Sequence, residues 1–358
     1  MKKLLASAAL LLVLAGAGLF AVGRLLGVGP FALGAPSSWL YLAVARGGPE
    51  GEARAIEVID AATGERRIFE LDERAFDLAL SPDRRTLYAG SAGGRILELD
   101  ATRGTPLGDL RLSTSGEVRR LVALPDGRRL VAVSAVALES IVTVVDLASR
   151  RETGSLELGL RIAGRPLVRG AELLLPTADR AGIDTLLTVS LEPLRVREEA
   201  RLSGSEETRL FTVQTAPAQV ALRPDGAVVV LSPFRLRISV LGREGESRRD
   251  VDLSRLYFAG RTPTTLGLGF DGDLELSLDG SAIHACVGSG VRAERYRLGF
   301  ADLEPQRVGG ECGRLQHGVD GTIYLAVRGR PELKLVDPST GAVRRTLPLT
   351  GYPQRLVN

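Results

Sequence analysis

The chain has 358 residues, of which 44% are hydrophobic and 25% charged, a composition typical of a globular protein with a large core. Its 46 lysines and arginines nearly balance its 43 aspartates and glutamates and are spread along the chain, which argues against a nucleic-acid partner. The two histidines and two cysteines form no CxxC, CxxCH or HExxH motif, so we expect neither a metal centre nor a bound cofactor.

The N-terminus carries an uncharged apolar run, residues 4–23, directly after two lysines. Its length suits a helix that crosses a bilayer, and a positive start before an apolar run also describes a cleaved secretory signal peptide. Both alternatives export the rest of the chain, to the periplasm or the extracellular face. We therefore divide the chain into a signal peptide or membrane anchor (1–23), a glycine- and proline-rich linker (24–38) and one domain (39–358).

From residue 39 onward, one short unit recurs, and its clearest copy is Phe76–Ile96. Two strands with apolar alternation flank a tight turn that contains Asp, usually followed by Gly, which is typical of a hairpin. Copies of the turn lie at 81–83, 124–127, 223–226, 278–280 and 319–321, with a degenerate copy at 168–170. The interval between copies is about 40 to 56 residues.

A second marker follows the third strand of several units, where an apolar strand ends in Asp and a Gly often comes four residues later. Copies lie at 58–64, 98–104, 144–146 and 335–341. A polar, alternating segment follows most copies and suits an outer strand that faces water. Each unit therefore holds four strands, and radial repetition of such units is typical of a β-propeller.

The spacing of the units predicts seven blades. Six are continuous in sequence, at 74–114, 115–159, 160–206, 215–262, 263–312 and 313–351. The domain opens on Trp39–Val44, which resembles a second strand with no first strand before it, and Tyr352–Val357 resembles a first strand with nothing after it. We therefore predict an all-β, seven-bladed propeller of four-stranded antiparallel blades, preceded by a hydrophobic helix and closed by pairing of the C-terminal strand with the N-terminal blade.

The unit resembles the YVTN-type β-propeller repeat of exported bacterial and archaeal proteins. The matching segments are LSPDRRTLY (80–88), PAQVALRPDG (217–226), IEVIDAATG (56–64) and LVDPSTG (335–341). The likeness covers 39–358 and is weak at 160–206 and 263–312. It implies a surface-layer or envelope protein. Related seven-bladed propellers serve as lactonases and as subunits of quinone-dependent amine dehydrogenases, and fold likeness alone does not choose among these roles.

Propellers usually bind ligands at the mouth of the central channel, where the inner strands begin. The residues at or near that place in the seven inner strands are polar: Asp77, Arg120, Arg165, Gln219, Asp273, Arg314 and Arg355. Seven blades would bring them around one axis, and four arginines against two aspartates favour a small anionic ligand. The alternative is a hydrated mouth in which Arg–Asp pairs between neighbouring blades absorb the charge.

The remaining candidates are interpreted from their surroundings in the sequence. His317, beside a turn, and His284, in mid-strand, are expected to be packed and hydrogen-bonded, and Asp273 and Glu275 to form an exposed acidic edge. Cys286 and Cys312 could form a disulfide in an exported chain, or remain two buried free thiols.

These observations favour an exported, membrane-tethered propeller that acts as a non-catalytic binding or scaffold module in the cell envelope. Its partner would be an envelope protein or a small anionic ligand, and its longest loops should lie near 204–216 and 257–268. The alternative is an enzyme of the channel mouth, either a lactonase-like hydrolase or a subunit of a quinone-dependent dehydrogenase. A hydrolase would place His317 or Glu275 as acid–base group beside the arginines Arg120, Arg314 and Arg355.

Overall fold

The computed structural model describes residues 35–358 except 138, 160, 180–183, 203–217, 243–247, 260–270 and 290–291. The predicted signal peptide or anchor, most of the linker, the loop near 204–216 and most of the loop near 257–268 lie outside the described residues. Within the described part of the chain, no helix is long and apolar enough to cross a membrane.

Within the described residues, seven antiparallel sheets follow one another along the chain; six have four strands from the inside to the outside, and the fourth has five because its inner strand is divided. Blade 1 contains β1 (Trp39–Ala45), β2 (Ala53–Asp60) and β3 (Arg66–Glu70). Blade 2 contains β4 (Asp77–Leu80), β5 (Thr86–Gly90), β6 (Arg95–Asp100) and β7 (Pro106–Arg111). Blade 3 contains β8 (Glu117–Ala123), β9 (Arg129–Val136), β10 (Glu139–Asp146) and β11 (Arg151–Glu157).

Blade 4 has a divided inner strand. It contains β12 (Arg161–Ala163), β13 (Leu167–Arg169), β14 (Glu172–Asp179), β15 (Asp184–Leu191) and β16 (Leu194–Arg201). Blade 5 contains β17 (Gln219–Leu222), β18 (Val228–Ser232), a 3-10 turn (Pro233–Arg235), β19 (Arg237–Leu241), β20 (Arg248–Asp252) and the short helix α1 (Ser254–Tyr257).

The last two blades and the closing strand complete the ring. Blade 6 contains β21 (Asp271–Leu276), β22 (Ala282–Ser289), β23 (Arg292–Gly299) and β24 (Pro305–Gly309). Blade 7 contains β25 (Gly313–His317), β26 (Ile323–Val327), β27 (Glu332–Val336) and β28 (Val343–Pro348), and β29 (Tyr352–Val357) ends the chain. The predicted seven-bladed propeller is therefore confirmed.

The two ends of the domain share blade 1. Strand β29 pairs antiparallel with β1, with Leu356 opposite Leu42 and Arg355 opposite Ala43. The fully buried Glu57 adds a polar contact, because its Oε2 accepts hydrogen bonds from the backbone N–H and the hydroxyl of Thr350, both at 2.8 Å. Chain ends that are paired in this way leave no open sheet edge at the junction.

The hydrophobic core is divided among the interfaces between blades. Seven apolar clusters form within the described residues, one in each interface. In the cluster between blades 6 and 7, blade 6 contributes Cys286 while blade 7 contributes buried aliphatic side chains such as Leu315 and Leu325. The other side chains that blade 6 turns toward blade 7 are largely polar, so this interface differs from the other six.

The poor repeat match of blade 4 has a local cause at the break between β12 and β13. Pro166 has no N–H to donate to the sheet, so it interrupts the pairing with β14. A Cβ on Gly164 would lie 2.8 Å from the Ala218 carbonyl oxygen, so only glycine allows blade 5 to approach so closely here. Arg165 lies between these two residues and is outside the paired segments.

Candidate ligand site in the central channel

A cavity of about 230 Å³ lies against the inner strands of blades 4 to 7. Its polar wall consists of Arg165, Gln219, Asp273, Glu275, Ser277, Gln316 and His317. Its apolar wall includes Leu167, Val220, Leu222, Leu276 and Leu278. At about 30 Å³ per water molecule, this volume corresponds to roughly eight waters, enough for a small polar group with a few carbons.

Arg165 reaches across the channel because the break in the inner strand of blade 4 frees it from the sheet. Its Nη2 donates to Oε1 of Gln316 in blade 7, at 3.2 Å. The side chain makes no other hydrogen bond to a described residue, and a guanidinium carries five N–H donors. Several donors of Arg165 are therefore available to a ligand in the cavity.

His317 and Glu275 form a pair at the cavity wall between blades 7 and 6. The Nδ1 of His317 lies 2.7 Å from Oε1 of Glu275, whose side chain is only 13% exposed. The hydrogen bond to Glu275 raises the pKa of His317, against the opposing effects of burial and of the Arg165 charge. The other ring nitrogen, Nε2, has no hydrogen-bond partner among the described residues, so it can donate a proton to a ligand or accept one from it.

Asp273 links the inner strands of blades 6 and 7. Its Oδ2 accepts a hydrogen bond from the backbone N–H of Leu315 at 2.7 Å, and its Oδ1 accepts one from Leu274 at 3.1 Å. Burial raises the pKa of Asp273, while the charges of Arg314 and Arg165 act in the opposite direction. The predicted exposed acidic edge at Asp273 and Glu275 is therefore wrong, because this face of β21 packs against blade 7.

Asp77 repeats the same contact between blades 2 and 3. Its Oδ2 accepts a hydrogen bond from the backbone N–H of Leu121 at 2.9 Å. Its Oδ1 lies 3.3 Å from Nε of Arg355, which also donates to the Phe76 carbonyl oxygen at 2.8 Å. Asp77 and Asp273 thus hold neighbouring inner strands together, and the amide that each binds follows one of the predicted channel arginines, Arg120 or Arg314.

The seven residues predicted for the channel mouth separate into groups. Arg165, Gln219 and Asp273 line the cavity, whereas Asp77 and Arg355 form an ion pair with each other. Arg120 donates to the Arg119 carbonyl oxygen at 2.7 Å, and Arg314 acts on Asp273 by its charge, but neither lines the cavity. The structure therefore brings His317 and Glu275 together with Arg165 and not with Arg120, Arg314 or Arg355.

The sequence did contain a signal for the His317–Glu275 contact. Two contacts join β21 and β25 at the same sequence separation of 42 residues, one from Asp273 to Leu315 and one from Glu275 to His317. Alternate residues of a strand lie on the same face. Two contacts with the same sequence separation, made by alternate residues, therefore mean that one face of β21 meets one face of β25. A search for polar pairs at the repeat interval would have found this pair.

His284 and the two cysteines lie deeper in the interface between blades 6 and 7. His284 is fully buried with Nε2 3.0 Å from the Pro338 carbonyl oxygen, so its predicted packed role is confirmed. Burial lowers the pKa of His284 to about 4. Cys286 and Cys312 are free thiols in the structure, which is the second of the two alternatives that the sequence left open. Their sulfurs instead face the carbonyl oxygens of Glu311 at 4.0 Å and Glu294 at 3.4 Å.

The sequence matches no protein-family model, and no curated protein matches it either. Among solved structures, a functionally unknown protein from Desulfotomaculum acetoxidans DSM 771 superimposes with a TM-score of 0.63 at 13% identity, covering 89% of this chain and 98% of that one. A proposed 6-phosphogluconolactonase from Bacteroides fragilis NCTC 9343 gives 0.62 at 14% identity, covering 89% and 97%. At this identity the likeness shows the fold alone, which is that of a seven-bladed β-propeller.

Proposed function

We propose that this chain is an exported, membrane-tethered propeller that binds a small anionic ligand in its central channel and does not transform it. The observation that carries the proposal is the position of Arg165 in a cavity of about 230 Å³, with most of its N–H donors without a described partner. The basic and apolar N-terminus, together with the resemblance to the YVTN-type repeat, supports export to the cell envelope.

The electrostatics of the cavity support an anion rather than a cation. Both carboxyl groups in the wall are already engaged, Glu275 by His317 and Asp273 by two backbone N–H groups. The donors of Arg165 and the Nε2 edge of His317 have no such partner among the described residues. A carboxylate or phosphate would satisfy these donors, and a bidentate contact to the guanidinium would fix its orientation.

A titration of the purified full-length chain with phosphate, acetate and gluconate tests the binding site. We expect Arg165→Gln to weaken the preferred anion by at least about tenfold, because a charge-assisted hydrogen bond contributes roughly 1.5–3 kcal/mol. Arg120→Gln is the matched control, since Arg120 is also an inner-strand arginine but does not line the cavity. Equal affinity in the wild type and in Arg165→Gln would overturn the site.

The proposed location is tested separately. A tag at the C-terminus should be digested by protease added outside the inner membrane, and the chain should remain in the membrane fraction if the N-terminal segment is retained. Affinity capture from an envelope extract would identify a protein partner of the outer strands, which is the scaffold role expected from the sequence.

A second candidate function is hydrolysis of a lactone, which the His317–Glu275 pair favours. Glu275 fixes the Nδ1 side of the ring, so Nε2 could take a proton from water that attacks the lactone carbonyl and return it to the leaving ring oxygen. The likeness to the Bacteroides fragilis protein gives 6-phosphogluconolactone as a probe. Hydrolysis above the spontaneous rate that His317→Gln abolishes would establish this function, and an unchanged rate would exclude it for this substrate.

A further inference from the structure

We propose that the ligand of the central cavity is a single-chain anionic amphiphile, with its headgroup at Arg165 and its acyl chain directed out of the propeller toward the membrane. The inference rests on the proposed function and names the chemical class of its ligand. Three features carry it: the apolar side of the cavity, the apolar residues at its mouth, and the place where the described chain begins.

The cavity has polar side chains along its length, from Gln219 at the start of β17 to His317 at the end of β25, and an apolar side that extends toward one face. Gln219 and Asp273 lie near the beginning of their inner strands. Leu222 and Leu276 are the last residues of β17 and β21, and Leu278 lies in the turn that follows β21. The cavity therefore extends toward the face formed by the turns between first and second strands, which we call the turn face.

Two large apolar residues stand exposed on the turn face beside this end of the cavity. Leu278 is 53% exposed and Val319 is 61% exposed, in the corresponding turns of blades 6 and 7. These turns are adjacent, because a Cβ on Gly321 would lie 4.0 Å from Cβ of Leu278. The other large apolar residues exposed within the described part of the chain lie on outer strands or in α1: Ile68, Leu107, Val196, Leu256 and Val343.

The described chain also begins on the turn face. Ala35 donates its N–H to the carbonyl oxygen of Arg84 at 2.7 Å, and Nε of Arg84 donates to the Ala35 carbonyl oxygen at 3.0 Å. Arg84 lies in the first turn of blade 2. The side chain of Asn358 lies between the two segments, with one terminal atom of its amide 3.4 Å from the His317 carbonyl oxygen and the other 3.0 Å from that of Ser37, so the start of the described chain is also close to the strand that carries His317.

The position of Ala35 on the turn face limits the distance between the cavity mouth and the bilayer. Residues 24–34, which join the predicted anchor to Ala35, can span at most about 40 Å when fully extended. With residues 4–23 in the membrane, the turn face and its apolar pair would lie within that distance of the lipid. An amphiphile could then leave the bilayer headgroup first and keep part of its chain against Leu222, Leu276 and Leu278.

The chemistry of the wall selects the ligand class. A planar carboxylate matches the fork of Arg165 and can accept a further hydrogen bond from Nε2 of His317 when the ring is protonated. Aliphatic side chains continue along one side of the cavity to its mouth, where they can pack against the methylene groups of a ligand. The cavity volume suits a headgroup with a few methylene groups, and the remainder of the chain would extend past Leu278.

Calorimetric titration of the full-length chain with acetate, butanoate, hexanoate and octanoate tests the proposal. We expect the affinity to rise about fourfold for each methylene group that is buried against the apolar wall, and to level off once the chain passes the mouth. Arg165→Gln should weaken every member of the series by about the same factor. Leu278→Gln should leave acetate unchanged and reduce the gain for the two longest acids.

The outcomes separate this inference from the proposed function. An affinity that depends on Arg165 but not on chain length would overturn the amphiphile and leave anion binding intact. Absence of binding by every acid, with phosphate or gluconate still bound, would overturn only the amphiphile, and absence of binding by all of these anions would overturn both. Equal binding of octanoate to the wild type and to Arg165→Gln would place the acyl chain elsewhere on the protein, for example on its apolar N-terminal segment, and would also overturn the proposal.

Discussion

The Nδ1 of His317 lies 2.7 Å from Oε1 of Glu275, so a hydrogen bond joins blades 7 and 6 at the wall of the central cavity. Blade 6 turns mostly polar side chains toward blade 7, and this contact replaces part of the apolar packing found in the other interfaces. The same pair orients the imidazole so that its free nitrogen is available to the cavity. The structural role of His317 and its proposed role in ligand binding are therefore coupled through Glu275.

The coupling predicts how the two histidines titrate. Glu275 raises the pKa of His317 above its usual value, whereas burial lowers the pKa of His284 to about 4. Because the chain has only two histidines, NMR spectra of the imidazole groups should show two well-separated titrations. Glu275→Gln should move the upper titration to lower pH and leave the lower one in place.

The stability difference between the wild type and Glu275→Gln should follow the same titration. A raised folded-state pKa contributes stability that is fully present below the unfolded pKa of about 6.5 and is lost as pH rises through the folded pKa. The two proteins should therefore differ most below pH 6.5 and converge at higher pH. A stability difference between the two proteins that grows as pH rises would show that Glu275 does not stabilise the protonated form of His317.

The contacts made by Asp77 and Asp273 predict a graded response to substitution. Asp273→Ala leaves the buried N–H of Leu315 without an acceptor, which should lower the free energy of unfolding by roughly 1–3 kcal/mol in urea titrations. Asp273→Asn keeps an acceptor oxygen and should cost less, because burial already raises the pKa of Asp273. Asp77→Asn should cost more than Asp273→Asn, since Asp77 contacts Arg355 directly at 3.3 Å, whereas burial outweighs the Arg314 and Arg165 charges and disfavours the charged form of Asp273. Equal effects of the two asparagine variants would contradict this account.

The architecture was readable from the sequence because its turns depend on local chemistry. Asp83 and Asp320 accept hydrogen bonds from the backbone N–H two residues later, and Asp337 does so at the end of a third strand. Such contacts require Asp at the same position of each turn. The recurrence of these residues in the sequence therefore predicted the strands and the number of blades.

The candidate site was only partly readable because it depends on contacts between distant segments. The repeat placed Arg165 near the channel, but its bond to Gln316 joins residues 151 positions apart and follows from the break at Pro166. Because successive side chains of a strand point to opposite sides, the sequence showed that Asp273 and Glu275 lie on the same face of β21. It did not show that blade 7 covers this face, which is why an exposed edge was expected.

Asp184 provides a test of the cost of a buried carboxyl group at the interface of blades 4 and 5. Burial raises its pKa to about 6, despite hydrogen bonds from Ser232 and from the Ala218 backbone. The contribution of this group to folding stability is fully present at pH values below its unfolded pKa of about 3.9. It is lost as pH rises through its folded pKa of about 6. Asp184→Asn should therefore be more stable than the wild type at pH 8, by on the order of 2 kcal/mol, and equally stable near pH 4.

A matched control for this effect is Asp337→Asn. Hydrogen bonds from the Ser339 hydroxyl and the Thr340 N–H lower the pKa of Asp337, so this variant should be less stable than the wild type at neutral pH. Thermal unfolding of both variants at several pH values measures the difference. A destabilised Asp184→Asn at pH 8 would show that its hydrogen bonds outweigh the burial of its charge.

The thiols should differ in reactivity. Cys286 is fully buried and Cys312 is half-buried, so an aromatic disulfide reagent should modify Cys312 in the native protein and Cys286 only at the rate of unfolding. Cys312→Ser should remove the fast phase and keep the slow one. Unfolding without a reductant should release two thiols, and release of none would show that the protein forms the disulfide instead.

The shared blade predicts that small changes in the C-terminal strand destabilise the whole ring. Leu356 is 7% exposed and packs with side chains of β1 and blade 7, so Leu356→Ala should lower the free energy of unfolding by about 2–4 kcal/mol. Val343→Ala, on an outer strand and 41% exposed, is the control and should change stability by less than about 0.5 kcal/mol. Because β29 pairs with β1, the loss should appear as a lower midpoint of one cooperative transition. Separate melting of the last blade, with the other six intact, would show that the ends are not held together in solution.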